Sequence, residues 1–575
     1  MSSRTAAVLL LAAAALLAPH DGAPAAQPRQ TAPAPAVTVV AKEPGYYTSL
    51  AKHAVRWLAS EGIAASLVTP DTMPSALAAA KIAYLVGFDK TTETEMAHFR
   101  AFRRRGGRLV VFYSSSHSLA ALMDVKLLGY AKAPYPGRWS RMDFEVRFPE
   151  GCPRTIRQTS TVLQRAAPIA GKSRVMAVWS DRTGKSTGDA AWISGAAGFW
   201  MTHVLTADGD EALKARLLAA MAGSVQPSLW NAKAADARAA ARAATLRNVA
   251  LGQKPKAGEI RAVWDHSGCG LYPGDWPRTF RLLKARGATD LFVNVAGAGF
   301  AHYPSKILPR SKIFEEEGDQ LAACLAAAAG SGVRVHAWIL CFTAARSAPA
   351  RLAEFRKLGW TLDARDGTKT EYLNPSNAAL RKRLLDAISE IRAGYRVAGI
   401  HLDFVRWYEK SAKPADAAAA VSSFVAAARL RVARPVWLTA AVLGKYPSCV
   451  AAAGQDWTAW LDSGTIDYAV PMDYTEDLAK FKGFVAQHAE KRSRAARTIA
   501  GIGVTANESR LDAAAVMAQI AEARKAGLAG VALFDLDATL ETSILPYLSL
   551  GAWRRTPPPE RPKGRSGAAR RPALP

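Results

Sequence analysis

The chain has 575 residues, of which 50% are apolar and 21% are charged, which is an ordinary globular composition. This length exceeds what one hydrophobic core normally holds, so two or more domains are expected. The formal net charge of +27 favours anionic cell-surface polymers as peripheral partners, and nucleic acid is not expected because the sequence contains no basic stripe interleaved with aromatic residues.

The first 26 residues have the pattern of a secretory signal peptide. Arg4 precedes an apolar run from Ala6 to Leu17, and small residues from Ala23 onward offer a cleavage site. The run is short for a membrane span, although a retained N-terminal anchor is the alternative. We therefore expect a secreted or periplasmic protein.

A Pro/Ala linker occupies residues 27–36, and an α/β domain is predicted over residues 37–228. Apolar strands alternate there with helices, which favours a doubly wound sheet. The arrangement resembles the glutamine-amidotransferase-like fold, whose enzymes carry a nucleophilic Cys just after a strand. Here that position has no Cys, and the Ser116-His117 pair fits either a nucleophile with its base or a polar turn. We expect this domain to be non-catalytic and to serve binding or assembly.

A helical connector is predicted over residues 229–258, with an Ala/Arg-rich helix from Ala232 to Asn248. A (β/α)8 barrel is predicted over residues 259–552, and a basic, disordered tail over residues 553–575. The eight predicted strands are Arg261–Trp264, Asp290–Val295, Arg334–Leu340, Ala398–Asp403, Val436–Val442, Ile466–Met472, Thr498–Val504 and Gly530–Phe534. A doubly wound sheet is the competing interpretation, but no Gly-rich phosphate loop follows a strand.

Polar, aromatic and acidic residues follow the ends of these strands, where a barrel builds its active site. The residues predicted to bind substrate are Asp265, Asn294, His336, Trp338, His401, Arg406, Trp407, Tyr474 and Asp535. The set offers carboxylates and aromatic rings but no credible nucleophilic Ser or Cys. Carboxylates and rings suit a sugar, whose C–H faces stack on rings while its hydroxyls bind polar groups. Packing in the core or at the rim remains the alternative for each aromatic residue.

Asp403 and Asp473 are the predicted catalytic carboxylates. Asp403 ends the fourth strand, and its structural alternative is an ion pair with Arg406. Asp473 follows the sixth strand, and its alternative is a helix cap or a loop hydrogen bond. Glu508 is a further acidic candidate. No metal and no cofactor is predicted, since the paired His-x-His of barrel metallohydrolases is missing after the first strand.

Several ordered segments resemble the family 10-like glycosyl hydrolases between residue 259 and about residue 550. The segments are His336-Ala337-Trp338, Tyr372-Leu373-Asn374-Pro375, Gly399-Ile400-His401-Leu402-Asp403 and Ile466 through Tyr474. The resemblance implies an exported bacterial barrel that acts on cell-surface or environmental polysaccharides, peptidoglycan glycan strands among them. The chain departs from that pattern at Phe404, where many members carry a second acidic residue, and at Asp473, where Gln is frequent.

The sequence thus supports an exported glycoside hydrolase that cuts a cell-wall or environmental polysaccharide through a carboxylate pair. In that hypothesis Asp403 is the nucleophile or base and Asp473 the proton donor, with interchangeable roles. The alternative is a catalytically inactive barrel that only binds glycans, which the replacement at Phe404 favours.

Overall fold

The computed structural model describes residues 35–42, 45–135, 137–145, 148–207 and 210–555. The predicted signal peptide, most of the linker and nearly all of the predicted tail lie outside these residues. None of the helices in the described ranges is both long and apolar enough to cross a bilayer.

The N-terminal part of the chain forms a sheet of nine strands and a separate pair of strands. Its strands are β1 (Val37–Ala41), β2 (Ser66–Val68), β3 (Ile82–Val86), β4 (Arg108–Phe112), β5 (Val125–Lys132), β6 (Trp139–Phe144), β7 (Thr155–Ser160), β8 (Val162–Pro168), β9 (Ser173–Ser180), β10 (Ser186–Gly195) and β11 (Gly198–Met201). The sheet has the order β2-β1-β3-β4-β11-β10-β9-β6-β7, and β5 pairs with β8 alone.

Only half of this sheet is the doubly wound arrangement that the sequence predicts. β2, β1, β3, β4 and β11 are parallel, whereas β10, β9, β6 and β7 continue the sheet in antiparallel fashion. The antiparallel half comes from residues 139–195, where strands follow one another through short turns and no crossover helix intervenes. The domain is therefore α/β with a mixed sheet.

Five helices cover this sheet, and a sixth leads to the next domain. They are α1 (Tyr46–Ser60), α2 (Met73–Ala79), α3 (Glu93–Arg104), α4 (His117–Leu122), α5 (Glu211–Val225) and α6 (Ala232–Gly252). Ser116 caps α4, because its hydroxyl accepts a hydrogen bond from the Leu119 N–H at 3.2 Å. That contact supports the polar-turn interpretation of Ser116-His117. Most of α6 is solvent-exposed, as its even spread of Ala and Arg predicts.

The second part of the chain is a closed (β/α)8 barrel, as predicted. Its barrel strands are β12 (Ile260–Asp265), β13 (Asp290–Gly297), β15 (Arg334–Leu340), β18 (Gly399–Asp403), β19 (Trp437–Leu443), β20 (Tyr468–Met472), β21 (Ile499–Gly503) and β24 (Gly530–Phe534). Neighbouring strands are parallel, and the pairing of β12 with both β13 and β24 closes the ring. Five short strands decorate the loops: β14 (Phe300–Ala301), β16 (Thr361–Asp363), β17 (Lys369–Leu373), β22 (Thr505–Ala506) and β23 (Ser509–Arg510).

Helices surround the barrel and one π-helical turn, Leu540–Ile544, follows its last strand. The helices are α7 (Trp276–Ala285), α8 (Lys312–Glu317), α9 (Gln320–Ala328), α10 (Pro349–Lys357), α11 (Ala378–Gly394), α12 (Ala417–Arg431), α13 (Ser448–Ala453), α14 (Trp457–Asp462), α15 (Leu478–His488), α16 (Arg492–Ala495), α17 (Ala513–Lys525) and α18 (Leu545–Leu548).

Side chains on each barrel strand alternate between two apolar layers. Ile400 and Leu402 pack outward against the helices, whereas Trp264, Phe292 and Trp338 pack in the barrel interior. Because the side-chain period of a strand is two, His401 and Asp403 must point inward from β18. This alternation decides which residues can reach the mouth, by which we mean the C-terminal end of the barrel strands.

The N-terminal domain contacts the loops that surround the mouth of the barrel. Arg157 forms an ion pair with Glu541, which follows the eighth strand, at 3.5 Å. Glu211 at the start of α5 pairs at 3.8 Å with Arg510, which follows the seventh strand. The domain therefore contacts the barrel at the end where active sites are built.

Candidate active site at the mouth of the barrel

Asp403 is the carboxylate that β18 presents to the barrel interior. Its Oδ2 accepts a hydrogen bond from the Trp338 indole N–H at 3.2 Å, and its Oδ1 accepts one from the Phe404 N–H at 2.6 Å. Burial raises the pKa of Asp403, while the positive charge of Arg406 and the two N–H donors oppose that shift. Asp403 is 5% exposed, so it is almost completely buried at the C-terminal end of β18.

The turn after Asp403 is conformationally strained. Phe404 has a φ of +48°, in the left-handed region that L residues adopt at a cost of about 1–3 kcal/mol. This conformation brings the Phe404 N–H back onto the Asp403 carboxylate and places the Phe404 ring under the Arg406 guanidinium, 4.6 Å from its centre. The turn therefore fixes both the carboxylate and the arginine.

Arg406 does not form the ion pair with Asp403 that was the structural alternative. Of the acidic side chains in the described residues, its partner is Glu409 at 3.6 Å. Its Nε and Nη1 are buried and receive no hydrogen-bond acceptor within the described part of the chain. Such donors are costly unless something accepts from them, so Arg406 is suited to bind substrate oxygens.

Three aromatic rings form a rim beside Asp403. Tyr372 stacks on Tyr408 with ring centres 4.2 Å apart and an interplanar angle of 13°, and it lies 5.9 Å from Phe404. Sequence reasoning did not place Tyr372 or Tyr408 in the site, because neither belongs to a barrel strand. An isolated β-bridge between Tyr372 and Thr343 brings this rim to the loop after the third strand.

A second ring pair faces Asp403 from the first and third strands. The His266 ring lies 5.8 Å from Trp338, the residue that binds Asp403, and 5.9 Å from Phe534. His266 is solvent-exposed at the edge of the mouth, while Trp338 is buried. Trp338 is 3% exposed, and its N–H supports Asp403.

Asn294 is joined to the mouth by an arginine that sequence reasoning missed. The Arg346 guanidinium donates to Asn294 Oδ1 at 3.1 Å and to the carbonyls of His266 and Ser267. Asn294 Nδ2 is buried and has no acceptor among the described residues. Arg346 lies in the loop after β15. The sequence feature that could have indicated its place in the site is that it is a basic residue a few positions beyond a strand.

Tyr474 and Asp535 close the opposite side of the mouth. The Tyr474 ring stacks on Phe534 with centres 5.7 Å apart. Burial and the charges of Asp403, Glu508, Asp535 and Asp473 raise the pKa of Tyr474. Asp535 accepts a hydrogen bond from the His266 N–H at 3.2 Å, and burial with the nearby charges of Asp265 and Asp537 raises its pKa to about 8.

The structure does not bring Asp473 to the mouth, and this corrects the predicted pair of Asp403 with Asp473. Asp473 is fully buried, and both of its oxygens lie 3.0–3.1 Å from Nε2 of His488 on α15. Val470 faces the barrel interior and Ala469 faces the helices, so alternation turns Asp473 outward and Tyr474 inward. Asp473 is therefore part of a buried pair between barrel and helix.

His401 and Trp407 lie beneath or behind the mouth. Nε2 of His401 accepts a hydrogen bond from the Trp264 N–H at 3.0 Å, so its proton is on Nδ1, which donates to Thr439 at 2.8 Å. Burial lowers the pKa of His401 well below its usual value, so the ring is a neutral part of the interior packing. Trp407 is 3% exposed and donates to the Ala417 carbonyl, so it belongs to the outer core and not to a sugar platform.

Asp265 and His336 are also placed away from a substrate. The Asp265 carboxylate is fully buried and accepts from Ser267, Gly268 and Gly270, so it fixes the loop after the first strand. His336 is fully buried towards the N-terminal end of the barrel, where its Nε2 lies 2.8 Å from Asp290. The described residues hold no group of three or more His, Cys, Asp and Glu side chains that could bind a metal ion.

Comparisons with known proteins add the following. No family model and no curated protein matches the chain. Among solved structures, the PgaB (BpsB) glycoside hydrolase domain from Bordetella bronchiseptica is 13% identical over 49% of this chain and 96% of that one, with a TM-score of 0.39. The α-L-fucosidase isoenzyme 2 from Paenibacillus thiaminolyticus is 11% identical over 51% of this chain and 49% of its own, also with a TM-score of 0.39. A GH18 chitinase from Cycas revoluta in complex with (GlcNAc)3 is 11% identical over 51% and 98% of the two chains, with a TM-score of 0.35.

Proposed function

We propose that this protein is a glycoside hydrolase whose carboxyl pair is Asp403 and Asp535. The observation that carries the proposal is Asp403 itself: a buried carboxylate faces the barrel interior and is held by two N–H donors, one of which is the Trp338 indole. Asp535 takes the place that the sequence hypothesis gave to Asp473. The family 10-like character that the ordered motifs suggest is part of this proposal.

The surroundings of the two carboxyls assign their roles. Burial raises the pKa of Asp403, and the Arg406 charge, the Phe404 N–H and the Trp338 N–H oppose that shift by favouring its ionised form. Asp535 has acidic neighbours, Asp265 and Asp537, and its pKa of about 8 keeps it protonated at neutral pH. Asp403, which has donors and a positive charge beside it, is therefore the proposed nucleophile or base, and Asp535 is the proposed proton donor.

In the reaction, Asp535 gives its proton to the glycosidic oxygen as the bond from that oxygen to the anomeric carbon breaks. Asp403 acts as nucleophile or as base, either bonding to the anomeric carbon or taking a proton from the water that attacks it. In both routes the leaving sugar keeps the proton of Asp535 and the anomeric carbon receives the hydroxyl of water. In the nucleophile route that water breaks the Asp403–sugar bond and its other proton returns to Asp535, whereas in the base route its other proton is held by Asp403 and is exchanged with solvent as Asp535 is protonated again. Arg406 and Asn294 bind sugar hydroxyls through their available N–H groups, and the ring pair Tyr372–Tyr408 supports a sugar face.

The natural substrate in this proposal is a cell-wall or environmental polysaccharide, with denuded peptidoglycan glycan as the first candidate. Export through cleavage of residues 1–26, a non-catalytic N-terminal domain over residues 37–228 and peripheral contact with anionic cell-surface polymers belong to the same proposal. N-terminal sequencing of the protein secreted by its native cells tests the export step. A mature N-terminus close to residue 27 is expected.

Release of reducing ends from a panel of glycans tests the enzyme proposal. Wild-type protein is expected to release them, and Asp403→Asn and Asp535→Asn are each expected to lower the rate of release by about 10²–10⁴-fold. Asp473→Asn is the matched control, since it makes the same chemical change in a carboxylate that points away from the mouth. Equal loss of activity in all three variants would contradict the assignment.

A glycan-binding barrel without catalysis is the second candidate. It is favoured by Phe404, which follows Asp403 directly, and by the outward orientation of Asp473. In that case the wild-type protein binds a glycan but releases no reducing ends, and binding survives Asp403→Asn. The same panel therefore separates the two functions.

A further inference from the structure

A pocket of about 410 Å³ opens at the end of the barrel opposite the mouth. We call it the basal pocket, and it is lined by Arg434, Pro435, Trp437, Ile466, Asp467, Tyr468 and Arg497. Its volume falls within the roughly 300–1,000 Å³ of small-molecule sites. The pocket is separate from the residues of the proposed function and does not depend on them.

Positive charge dominates this end of the barrel. Asp467 is shared by Arg429 at 2.7 Å and Arg434 at 3.2 Å. Asp290 is paired with Arg334 at 2.9 Å, and its pKa is lowered by its hydrogen bonds to His336 and Arg334 against the effect of burial. Arg497 adds a further cation that forms no ion pair with any described residue, so arginine charges exceed aspartate charges around the pocket.

Arg497 is the cation available to a ligand. Within the described residues its one side-chain hydrogen bond is from Nε to the Ser493 carbonyl at 3.3 Å, which leaves its terminal nitrogens as donors. Arg497 and Tyr468 both line the pocket. A planar guanidinium and a hydroxyl donor in the same pocket suit a carboxylate or phosphate.

Aromatic rings line the same pocket. Trp437 and Tyr468 lie with ring centres 4.6 Å apart, and the Arg334 guanidinium covers Trp437 at 4.1 Å. Both rings are half-buried, so parts of their surfaces face the pocket. Rings beside a cation recognise a molecule with an apolar face and an anionic substituent.

We propose that the basal pocket binds an acidic sugar residue, a pyranose that carries a carboxylate. The carboxylate binds the terminal nitrogens of Arg497 and the Tyr468 hydroxyl, and the C–H face of the sugar contacts the Trp437 and Tyr468 rings. Such a site attaches the protein to an acidic polysaccharide at the end of the barrel opposite the mouth.

Calorimetric titration of the full-length protein with D-glucuronate tests this site, with D-glucose as the neutral control. Glucuronate is expected to bind and glucose is not. Arg497→Gln is expected to weaken glucuronate binding by about tenfold or more. Arg492→Gln, which removes the same charge from an exposed position on the preceding α16, is expected to leave it unchanged.

Two further variants keep the test decisive. Tyr468→Phe removes only a hydroxyl and is expected to weaken binding without disturbing the fold. Asp403→Asn is expected to retain glucuronate binding, which separates this pocket from the mouth even if no glycosidase activity is found. Equal weakening by Arg492→Gln and Arg497→Gln, equal binding of glucose, or no glucuronate binding at about 10 mM would overturn the proposal. Preference for inorganic phosphate over glucuronate would overturn the assignment to a carboxylated sugar.

Discussion

Replacing Asp403 by Asn isolates the carboxylate charge with little change of shape. The carboxylate receives the Trp338 N–H on one oxygen and the Phe404 N–H on the other. An Asn side chain has a single oxygen, so one of these two hydrogen bonds is lost. The loss costs about 1 kcal/mol of unfolding free energy.

Removal of the charge increases the free energy of unfolding, by an amount that depends on pH. Because burial raises the pKa of Asp403 in the folded state, the folded protein holds this proton at pH values where the unfolded chain has released it. The buried carboxyl therefore does not lower the free energy of unfolding at pH values below the unfolded-state pKa of about 3.9. As the pH rises from there towards the folded-state pKa, it lowers the free energy of unfolding progressively. The removal of this buried charge therefore opposes the loss of the hydrogen bond, and it does so increasingly as the pH rises.

Activity and stability should consequently separate in this variant. Asp403→Asn is expected to lower kcat by about 10²–10⁴, the usual contribution of a catalytic acid or base. Its unfolding free energy relative to wild type should rise as the pH increases above about 4. Reducing-end release and thermal unfolding over this pH range measure both quantities.

Asp473→Asn is the control, because its carboxylate contacts His488 on α15 and not the mouth. We expect kcat to stay within a few-fold of wild type. The reasoning is refuted if Asp473→Asn loses as much activity as Asp403→Asn, or if the stability difference between Asp403→Asn and wild type does not change with pH.

Three further predictions concern the neighbours of Asp403 and the contact between domains. Asp535 has a pKa of about 8, so kcat/KM should fall above that pH as the proton donor ionises. Asp535→Asn should lose activity at every pH. A pH–rate profile of the two proteins measures both effects. Trp338→Phe removes an N–H that favours ionised Asp403, so the acidic limb of the same profile should move to higher pH; an unchanged limb would contradict the role given to this hydrogen bond. Glu541→Gln removes the partly exposed ion pair between Arg157 of the N-terminal domain and the barrel, so the unfolding free energy should change by less than about 1 kcal/mol. Backbone hydrogen exchange in α5 of the N-terminal domain should become faster, because this domain loses a contact with the barrel. Unchanged exchange would argue against coupling of the two domains.

Local sequence pattern was sufficient to predict the barrel. The apolar runs and intervening helices recur regularly after residue 259, and the eight predicted strands agree with the observed ones to within two residues at each end. The antiparallel half of the N-terminal sheet was not predicted, since strand direction depends on pairing between segments distant in the chain.

Orientation of side chains at the mouth could not be read in the same way. Both faces of a parallel barrel strand are apolar, so the sequence from Ile466 to Tyr474 does not show which residues point inward. Tertiary structure resolves this: Val470 and Tyr474 face the interior, and Asp473 turns to His488 on a helix. For that reason the sequence predicted both Asp473 and Tyr474 at the mouth, and it did not show that their side chains point in opposite directions.

The sequence by itself determined that the chain contains a barrel and that Asp403 ends its fourth strand, because a strand and its terminus are local features of about five residues. Only the tertiary structure decided which groups share a surface with Asp403. Arg346 reaches Asn294 across 52 positions of sequence, and Asp535 accepts from His266 across 269. Such contacts arise from the closure of the ring of strands, and no pattern within a single segment encodes them.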